Sequence, residues 1–539
     1  MRLRVRKKKN KSGSVSIHIV DRANRGYKLV ESLGSSKDEN EIEALYQKAL
    51  KRIDELEKNL FYSLQESETQ TKIKELLSNL TTQNFIPVGD EVIFGALFNL
   101  LQCDKVFDDI ENLKKKDEKI FLFKSLVISR LLYPGSKLEL INYLSYFKNI
   151  DINIDTIYRF LDTLYTPDIK SKIEECVFSH TKKIMNNTIK VTFYDVTTLH
   201  FESESEDDLR RIGFSKEGKL ARPQILLGLF TTLEGYPLSY EVYEGNKYEG
   251  HTLVDILKKF QDRFHLKNKP IVVADRGMLS SANIAFLEKN GYKYILAYKI
   301  KNVSNELKEK IIKLPFIDDG VVHTLEFEKE IPYKDDNGKK QTMQIKQNLI
   351  LTYSAKRAKK DKITREKALQ KIESALSKKN ITKSDLKLSY YAKYLDIDEK
   401  CSIKYKLNPD KVKQSEQLDG IKGFATNDFT LLPNEVIQHY QNQYDVEKAF
   451  RISKTDLKIR PIYHRLENRI KAHILISFVS YAVYKEFERK LKINNVKFNF
   501  SQKFLRKIIE HLIAIKVDNE IISINPSGIQ KEVIDAIQN

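Results

Sequence analysis

Apolar residues recur along this chain with two different periods, and the change between them is its main organising feature. Residues 12–34 alternate in two short runs, SVSIHIVD and GYKLVESLG, around RANRG, which predicts a hairpin. The next stretch, SSKDENEIEALYQKALKRIDELEKNL, opens on serines and early acids and continues at helical spacing, as a capped helix does. Helical spacing then dominates to about residue 188, punctuated by Pro134, Gly135 and Pro167. From residue 189 the period changes. Strands are predicted near 189–195, 224–231, 236–243, 270–275 and 293–298, with helices near 252–263 and 280–289. That order predicts an α/β fold, a mixed sheet flanked by helices, and alone it fits many such folds. Residues 300 to about 425 carry further strand-like runs, HTLEFEKEI, QTMQIKQNLILTYS and DLKLSYYAKYL, and one very basic helix. Apolar stretches such as ILISFVSYAVY at 474–484 are shorter than the roughly 20 residues of a membrane-spanning helix and read as core helices.

Three carboxylates stand where this pattern does not call for them. In IKVTFYDVTTLH, Asp195 shares a strand face with Val191 and Phe193. In KPIVVADRG, Asp275 closes the buried run Ile271 to Ala274 and precedes Arg276 and Gly277. A buried carboxylate is costly unless it is paired, hydrogen-bonded or bound to metal, so two at strand ends point to a shared cation. The third lies in YQNQYDVEKAFRISK, residues 440–454. At about 100° per residue, one continuous helix would place Tyr440, Gln443, Glu447 and Lys454 within roughly 60° of one another. Val446, Ala449 and Phe450 would then pack on the adjoining face. A charged stripe of this kind is by itself usually just a solvated face.

The order Asp195, Asp275, Glu447, set in YDVTT, ADRG and the 440–454 segment, resembles the bacterial insertion-sequence transposases of the DDE class. More narrowly it resembles the subgroup marked by Tyr, Arg, Glu and Lys at fixed gaps. Tyr440, Glu447 and Lys454 match, and Gln443 stands where that subgroup has arginine. Further strings agree in order along the chain: RLLYPGSK at 130–137, IYRFLD at 157–162, GFSKEGKLARPQI at 213–225, EGNKYEGHTL at 244–253 and RPIYHRLENRIKAH at 460–473. The resemblance implies an RNase H-like catalytic domain with a β-rich insertion domain and a helical N-terminal region. The corresponding division is a basic hairpin segment (1–36), a helical DNA-binding region (37–188), a first catalytic part (189–299) and the insertion with its basic helix (300–425). A second catalytic part carrying the glutamate (426–490) and a helical tail (491–539) complete it. In such a protein IDTIYRFLDTLY at 155–166 is a candidate groove-reading helix, although amphipathic core helix is the plainer reading.

Composition narrows the partner. Lys and Arg number 93 against 74 Asp and Glu, a net charge of +19, which fits a polyanion such as nucleic acid or an anionic surface. Basic residues crowd MRLRVRKKKNK at the start and AKRAKKDKITREK at 355–367, segments able to neutralise phosphates without reading sequence. Cys103, Cys176 and Cys401 are too widely spaced for a CxxC ligand pair, so reduced thiols in an intracellular protein are expected, without structural zinc or a secretory signal. By resemblance the location is the bacterial cytoplasm, associated with the nucleoid and not with a membrane.

The chemistry implied is metal-dependent DNA cleavage and strand transfer at the ends of an insertion sequence. Two divalent cations serve such phosphodiester chemistry, and hard carboxylate oxygens suit Mg²⁺, with Mn²⁺ as substitute. Asp195, Asp275 and Glu447 are the expected catalytic metal ligands, Asp195 bridging. Tyr440, Gln443 and Lys454 are the expected contacts to the phosphate beside the cut. Gln443 lacks the bidentate charge of arginine, which Arg276 or Arg451 would supply instead. His251 and His464 sit in family-like strings but are better read as hydrogen-bonded histidines than as catalysts. The partners implied are transposon-end and target DNA and a second copy of the chain, as a homodimer on DNA. Two other readings share the fold: an RNase H-like nuclease without strand transfer, and an inactive or repurposed DNA-binding protein.

Overall fold

The computed structural model describes residues 3–22, 26–62, 68–81, 84–108, 115–214, 222–266, 268–278, 280–316, 318–334, 338–376, 392–398, 404–497, 501–517 and 520–539. The centre of RANRG, most of GFSKEGKLARPQI, the first part of DLKLSYYAKYL and Cys401 lie outside them. The chain divides into two compact units, 1–84 and 85–539.

In the first unit the expected hairpin is a three-stranded antiparallel sheet, β1 (Leu3–Lys9), β2 (Val15–Asp21) and β3 (Lys28–Ser36). The basic run at the N-terminus is itself a strand. Leu3 and Val5 join a small core with Ile17, Ile19, Ala49 and Ile53, while alternation turns the exposed Arg4 and Arg6 to the other face. The helix Glu39–Tyr62 supplies Ala49 and Ile53 to that core.

In the second unit a short strand, β4 (Phe85–Pro87), precedes a helical region whose main helices are Lys116–Leu132, Lys137–Lys148, Ile154–Leu164 and Pro167–Ile184. Ile154–Leu164 buries Ile157, Phe160, Leu161 and Leu164 and packs on the long helix Glu467–Ile493, so its apolar stripe is used for core. The strands that follow are β5 (Val191–His200), β6 (Gln224–Thr232), β7 (Pro237–Glu244), β8 (Ile271–Ala274), β9 (Tyr294–Tyr298), β10 (Val322–Lys334), β11 (Lys340–Tyr353), β12 (Leu395–Asp398), β13 (Lys404–Leu407) and β14 (Ile421–Thr426). Eight of them form one sheet in the order β10-β11-β14-β9-β8-β5-β6-β7. β5, β6 and β7 are antiparallel neighbours, whereas β8 and β9 run parallel to β5.

The sheet's two faces are read directly from strand alternation. Val191, Phe193, Leu227, Leu229, Val273 and Ile295 face the larger core, shared with Ala449, Phe450 and the Glu467–Ile493 helix. Tyr194, Val196, Leu226, Phe230, Val272 and Leu296 face a second core formed with helices Thr252–Phe264 and Ser281–Lys289.

The longest described strands of residues 300–425 continue the central sheet. β14 pairs with β9 (Phe424↔Ala297) and β11 pairs with β14, so β10, β11 and β14 extend the same sheet. Among the described residues only β12 and β13 form a separate pair in this stretch. The tail expected to be helical also carries strands: between helices Gln502–Glu510 and Ile529–Gln538 lie β15 (Ile513–Val517) and β16 (Glu520–Ser523), and β15 pairs with β4. No helix among the described residues is long and apolar enough to cross a membrane.

Candidate active site

Strand register brings the two aspartates together. Tyr194 and Ala274 are paired across the parallel strands β5 and β8, so the residues that follow them, Asp195 and Asp275, are neighbours across strands about 4.8 Å apart. The carboxyl end of parallel strands is where open α/β sheets place their ligands. Two residues back, Phe193 and Val273 face the larger core, and alternation turns Asp195 to that same side. Asp195 is only half-buried in a strand otherwise wholly buried, and its Oδ1 accepts the Val196 N–H at 2.7 Å.

Glu447 arrives from that side. Its helix, Gln443–Arg451, seats Ala449 and Phe450 in the larger core and packs on β5, leaving Glu447 exposed. The expected single helix over 440–454 is in fact three pieces. Helix Pro433–Gln441 ends at Asn442 (φ −68°, ψ −6°), Gln443–Arg451 follows, and Ile452–Asp456 is a π-helical turn. A flattened ψ and a wider turn each rotate the helical phase, so the stripe calculated for an unbroken helix does not carry through to Lys454.

Asp195, Asp275, Tyr440 and Glu447 line one cleft of about 1050 Å³. Arg451 and Lys454 are not among its lining residues, and the side chains of Gln443 and Arg276 lie outside the described residues. The Tyr440 hydroxyl donates to Asp275 Oδ1 at 3.2 Å, and its ring packs on Phe424 with centroids 4.8 Å apart. The tyrosine expected to touch phosphate thus meets a carboxylate of the cleft in this structure. No three His, Cys, Asp or Glu side chains among the described residues converge tightly enough to hold one ion, so the three acids share the cleft without meeting at a point.

The same cleft is lined by Lys299, Lys301, Lys422 and Arg357, which individual sequence motifs did not single out. Arg357 belongs to the basic run at 355–367, the one signal available for it. The cleft's other aspartates are engaged in structure: Asp319 Oδ1 accepts the Ala355 N–H at 2.6 Å, and Asp361 accepts the Gly420 N–H at 3.2 Å and lies 3.6 Å from Arg357. Both fix the start of the basic helix Ala355–Leu376 beside the cleft.

Neither histidine of the family-like strings lines the cleft. His251 packs edge-on against Tyr248. His464 packs edge-on against Tyr158 and lies beside His473, and burial, with Lys137 and Arg130 nearby, pushes its pKa down to about 4. Arg130 donates to the carbonyls of Leu457 and Lys458 at 3.0 and 3.2 Å, just beyond the π-helical turn. It also meets His473 Nδ1 at 3.3 Å, while His473 Nε2 donates to the Ile459 carbonyl at 2.8 Å. This knot ties RPIYHRLENRIKAH to the helical region; sequence alone did not show it.

Residues 186–483, more than half of the chain, match the family model described as a transposase DDE domain. No curated protein matches the chain. Among solved structures it is similar to the piggyBac transposase in a cryo-EM synaptic complex with hairpin DNA, at 11% identity over 79% of each chain, with a TM-score of 0.37. At that score the likeness adds nothing to the fold or the chemistry.

Proposed function

Since this chain belongs to the transposase DDE-domain family, we propose that it binds the ends of an insertion sequence and catalyses metal-dependent cleavage and strand transfer there, as a homodimer on DNA, through an RNase H-like domain. The observation that carries this reading is the placement of Asp195 and Asp275 on neighbouring strands, with Glu447 brought to the same cleft by a helix packed on β5.

The donor set fits hard divalent cations: three carboxylates on one open cleft, two of them exposed. Mg²⁺ keeps several waters and takes only one or two carboxylates per ion, so the acids need not converge on a single point. Asp195, Asp275 and Glu447 would hold two such ions, which supply charge neutralisation at the scissile phosphate and activation of water or a 3′ hydroxyl.

The protein's own groups then have separable tasks. Asp195, on the strand that pairs with β8 and packs against the helix bearing Glu447, would be the carboxylate shared by the two ions. Tyr440 donates to one oxygen of the exposed Asp275 carboxylate, whose second oxygen would serve a ligand. Lys299, Lys301, Lys422 and Arg357 offer cationic contacts to a phosphodiester chain lying in the cleft. Lys454, on the π-helical turn, is assigned the phosphate flanking the cut, and Arg276 or Arg451 the contact that Gln443 cannot make.

The test is cleavage and joining of labelled DNA carrying the element's own ends, in Mg²⁺ and in EDTA, for wild type and Glu447→Gln. Metal-dependent nicking and joined products that vanish in the variant are expected. Tight binding without cutting by the wild type in Mg²⁺ or Mn²⁺ would instead mark a DNA-binding protein without catalysis.

A further inference from the structure

A second concave surface lies away from the acids. The Glu467–Ile493 helix passes the β6–β7 turn, where the Tyr481 hydroxyl donates to the Gly235 carbonyl at 2.8 Å and Tyr236 donates to the Lys485 carbonyl at 3.3 Å. That turn sits beside the start of β5, because Thr232 pairs with Thr192. Arg489 and Lys490 follow on the helix, so they lie at the end of the sheet where β5 and β8 begin, whereas Asp275 stands where β8 ends. Here a groove of about 640 Å³ is lined by Lys105, Lys172, Lys183, Arg489 and Lys490, with Glu175 as its one acid among the described residues.

Two of these cations are committed within the protein: Arg489 forks onto Glu486 at 2.6 and 2.8 Å, and Lys172 pairs with Asp168 at 3.5 Å. Lys105, Lys183 and Lys490 make no ion pair among the described residues. Lys183 and Lys490 occupy the last turns of their helices, where the helix dipole favours a cation. The dipole does not account for Lys105, which comes from a separate short turn, or for the convergence of three segments on one hollow. Like charges gathered in a groove repel one another unless a polyanion covers them. Duplex DNA presents about one charge per 1.7 Å of its axis, which suits a row of cations better than a single small anion does.

We propose that this groove holds the backbone of duplex DNA outside the segment seated in the acid cleft, a second contact that rests on the reading of DNA as partner. It binds phosphates without reading bases, and it lengthens the footprint of the protein beyond the cut site.

The test uses the full chain and a labelled long duplex, with affinity measured by anisotropy over a range of salt. Replacing Lys105, Lys183 and Lys490 together by Gln should make the slope of log affinity against log salt shallower by about 2 to 3. A control triple of exposed lysines elsewhere, Lys310, Lys503 and Lys531 to Gln, removes the same charge and should change the slope by less than about 1. The half-buried thiol of Cys176 lines the groove and reports on it in the unmodified protein: saturating DNA should slow its alkylation by maleimide, read on the Cys176 peptide. Equal slopes for the two triples, or alkylation unaffected by bound DNA, would overturn the groove while leaving the acid cleft standing. A wild type that binds no duplex at all would overturn both.

Discussion

Glu174 and Glu447 are both glutamates on helices packed against the central sheet, and their surroundings are opposite. Glu174 is wholly buried: it accepts from Lys170 at 3.1 Å, from the Ser239 hydroxyl and the Tyr240 N–H at 2.9 Å each, and from Arg263. Glu447 is exposed on the cleft, and its carboxylate makes no ion pair among the described residues. A carboxylate whose lone pairs are all engaged holds structure, whereas one left facing a cleft beside two others keeps capacity for an outside ligand. Burial alone would have pointed to Glu174, whose lone pairs are already taken within the protein.

The largest expected effect separates the two. Glu447→Gln should reduce cleavage of end DNA on the order of 10³-fold or more, the scale of losing one element of charge stabilisation at a reacting centre. Its unfolding free energy should stay within about 0.5 kcal/mol of wild type, as for an exposed substitution. Glu174→Gln should do the reverse. Leaving Arg263 without its counter-charge, and Lys170 with Glu241 at 2.8 Å as its remaining carboxylate, should cost up to about 3 to 5 kcal/mol in urea unfolding, while the molecules that remain folded cleave normally. A Glu174→Gln protein that is stable but inactive would end the distinction between the two glutamates.

The parts of the site readable in sequence are those that depend on near neighbours. Asp195 breaks a strand period, and Asp275 ends a four-residue apolar run, so both declared themselves; β8 stands where the period placed it, whereas β5 runs on to His200, so Asp195 lies within its strand and not at the expected end. What sequence did not reveal depends on long-range pairing or small changes of backbone angle. β14 reaches β9 across more than a hundred residues, and no local pattern says that the strands of 300–425 continue the central sheet. The break at Asn442 and the π-helical turn at Ile452–Asp456 leave the apolar period nearly intact, so a face calculated from 3.6 residues per turn ran on too far. Lys299, Lys301 and Lys422 are ordinary lysines in a lysine-rich chain, and only the folded cleft distinguishes them.

A third buried region, the knot of Arg130, Lys137, His464 and His473, is a contrast in sign, since it gathers bases where Glu174 gathers an acid's partners. His464 has its pKa pushed down to about 4, first by burial and then by Lys137, Arg130 and Arg469, with Asp162 opposing. Because the folded value lies below the ordinary 6.5, the unfolded chain takes the proton first as pH falls. The neutral ring's contribution is therefore complete above pH 6.5 and is lost between 6.5 and 4. The difference in unfolding free energy between wild type and His464→Asn should shrink across that window by up to about 3 kcal/mol. A difference that stays constant from pH 7 to pH 4 would mean that His464 is not held neutral by this knot.

The smallest expected effect concerns the one tyrosine that bridges the two kinds of role. Tyr440 packs on Phe424 as a core residue does, and its hydroxyl donates to Asp275 Oδ1 as a positioning group does. Tyr440→Phe keeps the ring and removes the hydrogen bond, a loss of about 0.5 to 1.5 kcal/mol. Cleavage should fall roughly 2- to 12-fold, and more Mg²⁺ should be needed for half-maximal rate, because Asp275 would be freer to turn away from its ion. Affinity for end DNA in EDTA should be unchanged, since the hydroxyl is spent on the carboxylate. Weaker DNA binding with an unaltered metal requirement would return Tyr440 to the phosphate and leave Asp275 to be oriented by its strand alone.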